Sequence, residues 1–181
     1  MRVLLDACIL YPTVLREILL GVAARGGFAP LYAPRILEEW ARAAARAGPQ
    51  VEQQARVEIA LLRAQFPKGE VTPDLQTEQT LSLPDLDDIH VLAAAIKAQA
   101  EVLLTANLRD FPGRTLSRHG IRAQAPDALL LQLLEEGVPV ADVVGEVQAR
   151  TQHISGREQP LRPLLKRAGL PRLGKRLTAT D

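Results

Sequence analysis

Cysteine is nearly missing: Cys8 stands alone in 181 residues. That excludes an internal disulfide framework and any thiolate-rich zinc site, so nothing here demands an oxidising compartment. Aromatic residues are scarce as well, at 3% against an apolar fraction of 47%. A core built from layers of Ala, Leu and Val follows, of the α/β or all-α kind. Long hydrophobic runs are also lacking. Met1 and Arg2 lead directly into Val3-Leu4-Leu5 and then Asp6, too short a run for a signal peptide or a membrane span, which points to a cytoplasmic protein with no membrane partner. Excess charge of either sign is absent too. Twenty-two Lys and Arg against 21 Asp and Glu leave +1, no global attraction to nucleic acid. The charges are nevertheless segregated: residues 162–176 carry six basic side chains and no acid, whereas Asp85, Asp87 and Asp88 crowd one short stretch.

What is present alternates between strand and helix. Val3-Leu4-Leu5 is a continuous apolar run ending at an acid, the pattern of a buried parallel strand delivering Asp6 at its C-terminal end. Pro12 opens a helix with Val14, Leu15, Ile18, Leu19 and Val22 on one face, and Gly26-Gly27 stops it. Residues 28–33 read as a second strand. Pro34 begins a helix striped with Ile36, Leu37, Trp40, Ala41 and Ala44. After Gly48-Pro49 a helix runs over 51–66, followed by an irregular stretch over 67–84 with room for one short strand around Val71. Asp88 is placed to cap or begin a helix bearing Ile89, Leu92, Ala93 and Ile96, and Val102-Leu103-Leu104-Thr105 is another buried strand. Residues 121–123 read as a last strand, Pro126 opens a helix to Glu136, and two short helical patterns precede a Pro-, Gly- and Arg-containing tail. The expectation is one principal α/β domain over 1–125 with a parallel sheet covered on both faces, and a helical extension over 126–181. Such sheets put their sites at the C-terminal strand ends near a topological switch point, which is where Asp6 and the loop after Thr105 would sit.

Carboxylates gathered at converging strand ends are costly unless a cation compensates them. Oxygen donors without Cys or clustered His favour Mg²⁺ or Mn²⁺ over Zn²⁺, and such ions suit the hydrolysis of a phosphodiester. Four segments supply the acids in order: Leu4-Leu5-Asp6-Ala7-Cys8, then Ile36-Leu37-Glu38-Glu39-Trp40, then Asp85-Leu86-Asp87-Asp88-Ile89-His90-Val91-Leu92, and Leu104-Thr105-Ala106-Asn107-Leu108-Arg109-Asp110-Phe111-Pro112. None is specific alone. In this order they resemble the PIN domain, in particular the VapC-like toxins of bacterial toxin–antitoxin pairs, over roughly residues 1–125.

The resemblance implies a PIN-like three-layer α/β/α sandwich and a Mg²⁺- or Mn²⁺-dependent endoribonuclease. It makes Asp6, Glu39, Asp88 and Asp110 the catalytic, metal-holding acids, adds Asn107 to the metal set, and gives Thr105 a supporting hydroxyl. Asn107 stands where many relatives have Asp, and Asp88 lies one residue before the position relatives use, with Asp87 or Asp85 as substitutes. On a helical wheel Glu38 and Glu39 flank the apolar stripe at equal angles, so only the resemblance favours Glu39. Arg109 would meet the scissile phosphate, with Arg35, Arg114 and Arg118 as outer guides. An RNA substrate, an antitoxin protein and a homodimer are the implied partners.

Each piece has a plainer reading. Asp6 alone is a turn or helix cap, Glu38-Glu39 a solvated face, and residues 85–88 a turn with an N-cap. His90 reads as a partly exposed helix histidine, His119 and His153 as surface residues, Cys8 as a small buried side chain, Trp40 as a core anchor. The basic stretch over 162–176 suits either RNA or packing through its leucines. The rival to a nuclease is a non-catalytic RNA-binding protein on a degenerate PIN fold.

Overall fold

The computed structural model describes residues 1–179. Along the chain run β1 (Arg2–Leu5), α1 (Ala7–Leu10), α2 (Thr13–Ala24), β2 (Ala29–Leu31), α3 (Pro34–Ala45), α4 (Pro49–Gln65) and α5 (Leu75–Thr80). A 3-10 turn over Leu86–Asp88 leads into α6 (Ile89–Lys97), followed by β3 (Val102–Leu104), α7 (Gly113–Ser117) and β4 (Arg122–Gln124). Four helices complete the chain: α8 (Pro126–Glu135), α9 (Val140–Ser155), α10 (Leu161–Arg167) and α11 (Pro171–Thr178). They form two compact units, one of Met1–Tyr11 with Ala29–Gln124, the other of Pro12–Phe28 with the chain from Ala125 onward.

The first unit holds a four-stranded, all-parallel sheet in the order β2-β1-β3-β4, flanked by helices as an α/β/α sandwich requires. Val3, Leu4 and Leu5 pair with Val102, Leu103 and Leu104, and all six are fully buried, which explains why these strands read as unbroken apolar runs rather than alternating ones. The chain leaves β1 for β2 on one side and β3 for β4 on the other, so the order reverses between the two central strands. A crevice at the C-terminal ends of β1 and β3 is the geometric consequence. Ile36, Leu37, Trp40, Ala41 and Ala44 of α3 are buried, as their helical spacing anticipates; α6 departs from its expected stripe, for residues 90–95 are buried all round while Ile89 and Ile96 are only partly buried.

Local differences have local causes. The strand expected around Val71 reduces to a single bridge, Tyr32 to Glu70. There Gly69 approaches the Pro30 carbonyl so closely that a Cβ would lie 2.5 Å from it, which fixes the pairing at one residue. Residues 75–80 form a short helix where irregular chain was expected. Its start is capped by Asp74, whose carboxylate accepts the Thr77 N–H at 2.8 Å.

In the second unit, α2 packs on α9, and a Cβ on Gly21 would come within 2.7 Å of Val143 Cγ1. Ion pairs from Arg25 to Glu146 and from Arg150 to Glu17 line that seam. The Pro- and Gly-containing tail is helical through residue 178. Pro171 sits in the first turn of α11 and Gly169, at φ +77°, makes the turn before it, positions that cost a helix nothing.

Candidate metal centre

Asp6 emerges where β1 ends. Its N–H still donates to the Leu104 carbonyl at 3.1 Å, extending the β1–β3 ladder by one residue. The residue is 7% exposed. It stands at the N-cap position of α1, yet its carboxylate makes no cap hydrogen bond. Instead Oδ2 accepts the Thr105 hydroxyl at 2.7 Å and the Cys8 thiol at 3.1 Å. Thr105, fully buried at the end of β3, also accepts the Asn107 N–H at 3.0 Å. One hydroxyl therefore ties the loops after β1 and β3 together, although 99 positions separate the two residues it joins.

Cys8 departs from the small buried residue expected: it is solvent-exposed. Its sulfur nonetheless sits among Asp6, Thr105 and the Ala106 N–H. Burial of the thiol, followed by the Asp6 charge, pushes its pKa up to about 12, so it serves as a neutral donor and not as a nucleophile.

Around this pair the carboxylates converge. Asp85, Asp88 and Asp110 each offer an oxygen, and the three atoms lie within 4.8 Å of one another. Asp88 carries the strain of that arrangement. Desolvation first, then the charges of Asp6, Asp85 and Asp110, raise its pKa to about 6, with His90 the opposing influence. Its side chain makes no cap bond to α6, so the plainer role expected for it does not occupy it. Asp85, which the sequence offers only as a substitute, stands in the group, anchored by the Asp87 N–H at 2.9 Å. Asp87 is not among these three. Asn107 donates its side-chain amide to Asp110 Oδ2, so an amide at this position orients a neighbouring carboxylate without adding a fifth charge.

Glu38 and Glu39 go separate ways. Glu38 is held by Arg42 and Arg56 at 3.3 and 3.2 Å, and the Arg56 guanidinium lowers its pKa. Glu39, 36% exposed, meets Arg35 at 3.5 Å and His90 Nε2 at 3.0 Å. His90 is not partly exposed but 2% exposed. Its Nδ1 lies 2.7 Å from the Asp87 carbonyl, which only accepts, so the proton is on Nδ1. Its Nε2 is close enough to Glu39 for an ion pair but off the line of a ring hydrogen bond. The histidine thus stands between Glu39 and the acidic turn, hydrogen-bonded to the turn and positioned to pair with Glu39 when the ring is protonated. Arg35, Arg109, Arg114 and Arg118 are all exposed, and Arg109 stands in the same loop as Asp110.

The donor set suits a hard divalent cation. Carboxylate oxygens converge, one of them resists ionisation, and no Lys or Arg neutralises the three aspartates among the described residues. Mg²⁺ or Mn²⁺ would relieve that repulsion through oxygen ligands alone.

Comparison with known proteins agrees with this geometry. A family model described as "PIN domain" matches residues 2–109. A protein of Mycobacterium tuberculosis (strain ATCC 25618 / H37Rv) named "Putative ribonuclease VapC50" is 44% identical over 64 residues, 34% of this chain. The match spans only 38% of that relative's length. No solved structure matches the chain. With more than half its length covered by the family model, and with the strand-end acids where that family's fold would place a site, the chain belongs to the PIN domain family.

Proposed function

We propose that this chain is a Mg²⁺- or Mn²⁺-dependent endoribonuclease, the toxin of a toxin–antitoxin pair. The observation that carries the reading is the convergence of Asp85, Asp88 and Asp110 beside Asp6, with no Lys or Arg paired to the three among the described residues. The name of the M. tuberculosis relative supports RNA as the substrate.

In this reading Asp85, Asp88 and Asp110 hold the cation beside Asp6, with Glu39 at its margin and Asn107 orienting Asp110. When bound, the ion supplies Lewis acidity at the phosphate and makes water a better nucleophile. Thr105 fixes the Asp6 carboxylate through its 2.7 Å bond and removes one rotational freedom from the site. His90 fixes Glu39. Arg109, and beyond it Arg35 and Arg114, meet the charge of the phosphate backbone. The nuclease is assigned to residues 1–125 and an accessory role to 126–181. No described helix is long and apolar enough to cross a membrane, and the proposal places the protein in the cytoplasm with an antitoxin and a second copy of itself.

The test is cleavage of labelled tRNA and rRNA fragments with and without Mn²⁺ or Mg²⁺, beside Asp6→Asn and Asp110→Asn. Metal-dependent cuts lost in both variants are expected. No cleavage by the unaltered chain and no metal binding in calorimetry would leave a non-catalytic RNA-binding protein on the same fold.

A further inference from the structure

The basic stretch over 162–176 has already spent its apolar side. Leu164, Leu165, Leu170 and Leu173 are buried. A Cβ on Gly174 would meet Leu165 Cβ at 3.3 Å, so α10 and α11 touch almost backbone to backbone. The Asp127 carboxylate of α8 accepts the N–H groups of Arg172 and Leu173, both at 2.9 Å, and pins the start of α11. With the leucines committed inside their own unit, no apolar face is left over for a partner helix.

The cations remain. Arg162, Lys166, Arg167, Arg172, Lys175 and Arg176 are all exposed. Among the described residues, no carboxylate pairs with Arg162, Lys166, Arg172 or Lys175, and Arg167 bonds only to the neutral Gln159 amide at 2.8 Å. Arg162 and Lys166 lie four apart on α10, Arg172 and Lys175 three apart on α11, so like charges sit side by side on each helix and repel. In a chain of net charge +1 this concentration leaves the remainder acidic on balance. The stretch holds no aromatic, amide or hydroxyl side chain, so it lacks aromatic stacking platforms and amide readers of base edges, and its Arg and Lys are left to pair with phosphate oxygens. It also shows no large exposed hydrophobic residue, which binding in a membrane interface needs.

We infer that α10 and α11 form a surface that binds the phosphate backbone of RNA without regard to sequence and adds to the affinity of the chain for its substrate. The inference rests on the reading that the substrate is RNA. Cations on helices that carry no aromatic or amide side chain confer affinity and salt dependence, and leave any choice of cleavage position to the first unit.

The experiment is fluorescence anisotropy of the full chain in EDTA with two labelled single-stranded RNAs of equal length and unrelated sequence. The unaltered protein is compared with the triple variant Lys166→Gln, Arg172→Gln, Lys175→Gln. Loss of three phosphate contacts should weaken both RNAs alike, by about tenfold or more near physiological salt, and reduce the slope of log K against log salt by about 2. An unchanged melting temperature would show that the triple variant folds. Unchanged RNA affinity and slope would overturn the inference. So would loss of binding to anionic phosphatidylglycerol vesicles with none to RNA, which would make the surface a lipid site. Because cleavage is not the readout, the two readings fail separately. Metal-dependent cleavage with unaltered KM in the triple variant sinks the surface and leaves the nuclease, whereas weakened RNA binding in a chain that never cleaves sinks the nuclease and leaves the surface.

Discussion

Replacing Asp88 by Asn should stabilise the protein when metal is withheld and weaken it when metal is supplied. The Asp88 pKa, raised from 3.8 to about 6, means that the folded protein holds this proton more tightly than the unfolded chain does. The favourable contribution is therefore complete below about pH 4 and is lost as pH rises through about 6. At pH 7.5 the ionised carboxylate is a burden. Two pH units correspond to about 3 kcal/mol, and because the side chain is partly open to water a fair expectation is about 1 kcal/mol. Asn keeps the shape without the charge, and no cap hydrogen bond is lost because Asp88 makes none. In EDTA at pH 7.5, Asp88→Asn should then melt about 2–4 °C higher. The gain should vanish at pH 4, where the carboxyl is protonated. With Mn²⁺ the order should invert, since at a hundredfold excess over Kd the unaltered protein gains about 2.7 kcal/mol that the variant cannot match. A variant less stable than the unaltered chain in EDTA, or a gain that persists at pH 4, would refute the claim that like charges meet at this site.

Thr105→Val keeps the volume but removes the closer donor to the Asp6 carboxylate, leaving it the Cys8 thiol alone, and takes the side-chain acceptor from the Asn107 N–H. A loss of about 1–3 kcal/mol in urea unfolding is expected, and a neutral effect would mean that the hydroxyl does not join the two loops. His90→Phe fills the buried site without either nitrogen and should weaken Mn²⁺ binding in calorimetry by about tenfold while the far-ultraviolet circular dichroism stays the same; unchanged affinity would release His90 from any part in placing Glu39. Asp127→Ala removes both acceptors at the start of α11 and should cost about 1–2 kcal/mol. Amide exchange at Arg172 and Leu173 should quicken first, and protection equal to that of the unaltered chain would show that the cap is not holding the helix.

How much of this was legible beforehand depends on whether a residue's partner lay within reach of a local pattern. Val3-Leu4-Leu5 and Val102-Leu103-Leu104 read as buried parallel strands because burial on both faces leaves a mark on every residue, and their pairing needed only the fold logic of a switch point. The α3 stripe was likewise written in its spacing. The choice between Glu38 and Glu39 was not, since both flank that stripe equally. What separates them is Arg56, from the following helix α4, which reaches Glu38, and His90, from a segment 51 positions after Glu39, which reaches Glu39. A wheel drawn on one helix contains neither.

The same limit explains the tail. Pro163 and Pro171 lie in the first turns of α10 and α11, and Gly169 makes the left-handed bend between them, so these residues end one helix and start the next. The leucines then turn inward and the charges outward, and the ambiguity between packing and RNA binding dissolves: the two uses fall to opposite sides of the same helices. One face satisfies the hydrophobic requirement of the second unit. The other gathers Arg162, Lys166, Arg172 and Lys175, which no carboxylate pairs with among the described residues. The acidic cluster of the first unit is in the mirror situation, carboxylates with no cation among them. An acidic cluster in one unit and a basic helix face in the other are the two charges that the proposed reaction would need, one for a metal ion and one for a polyanion.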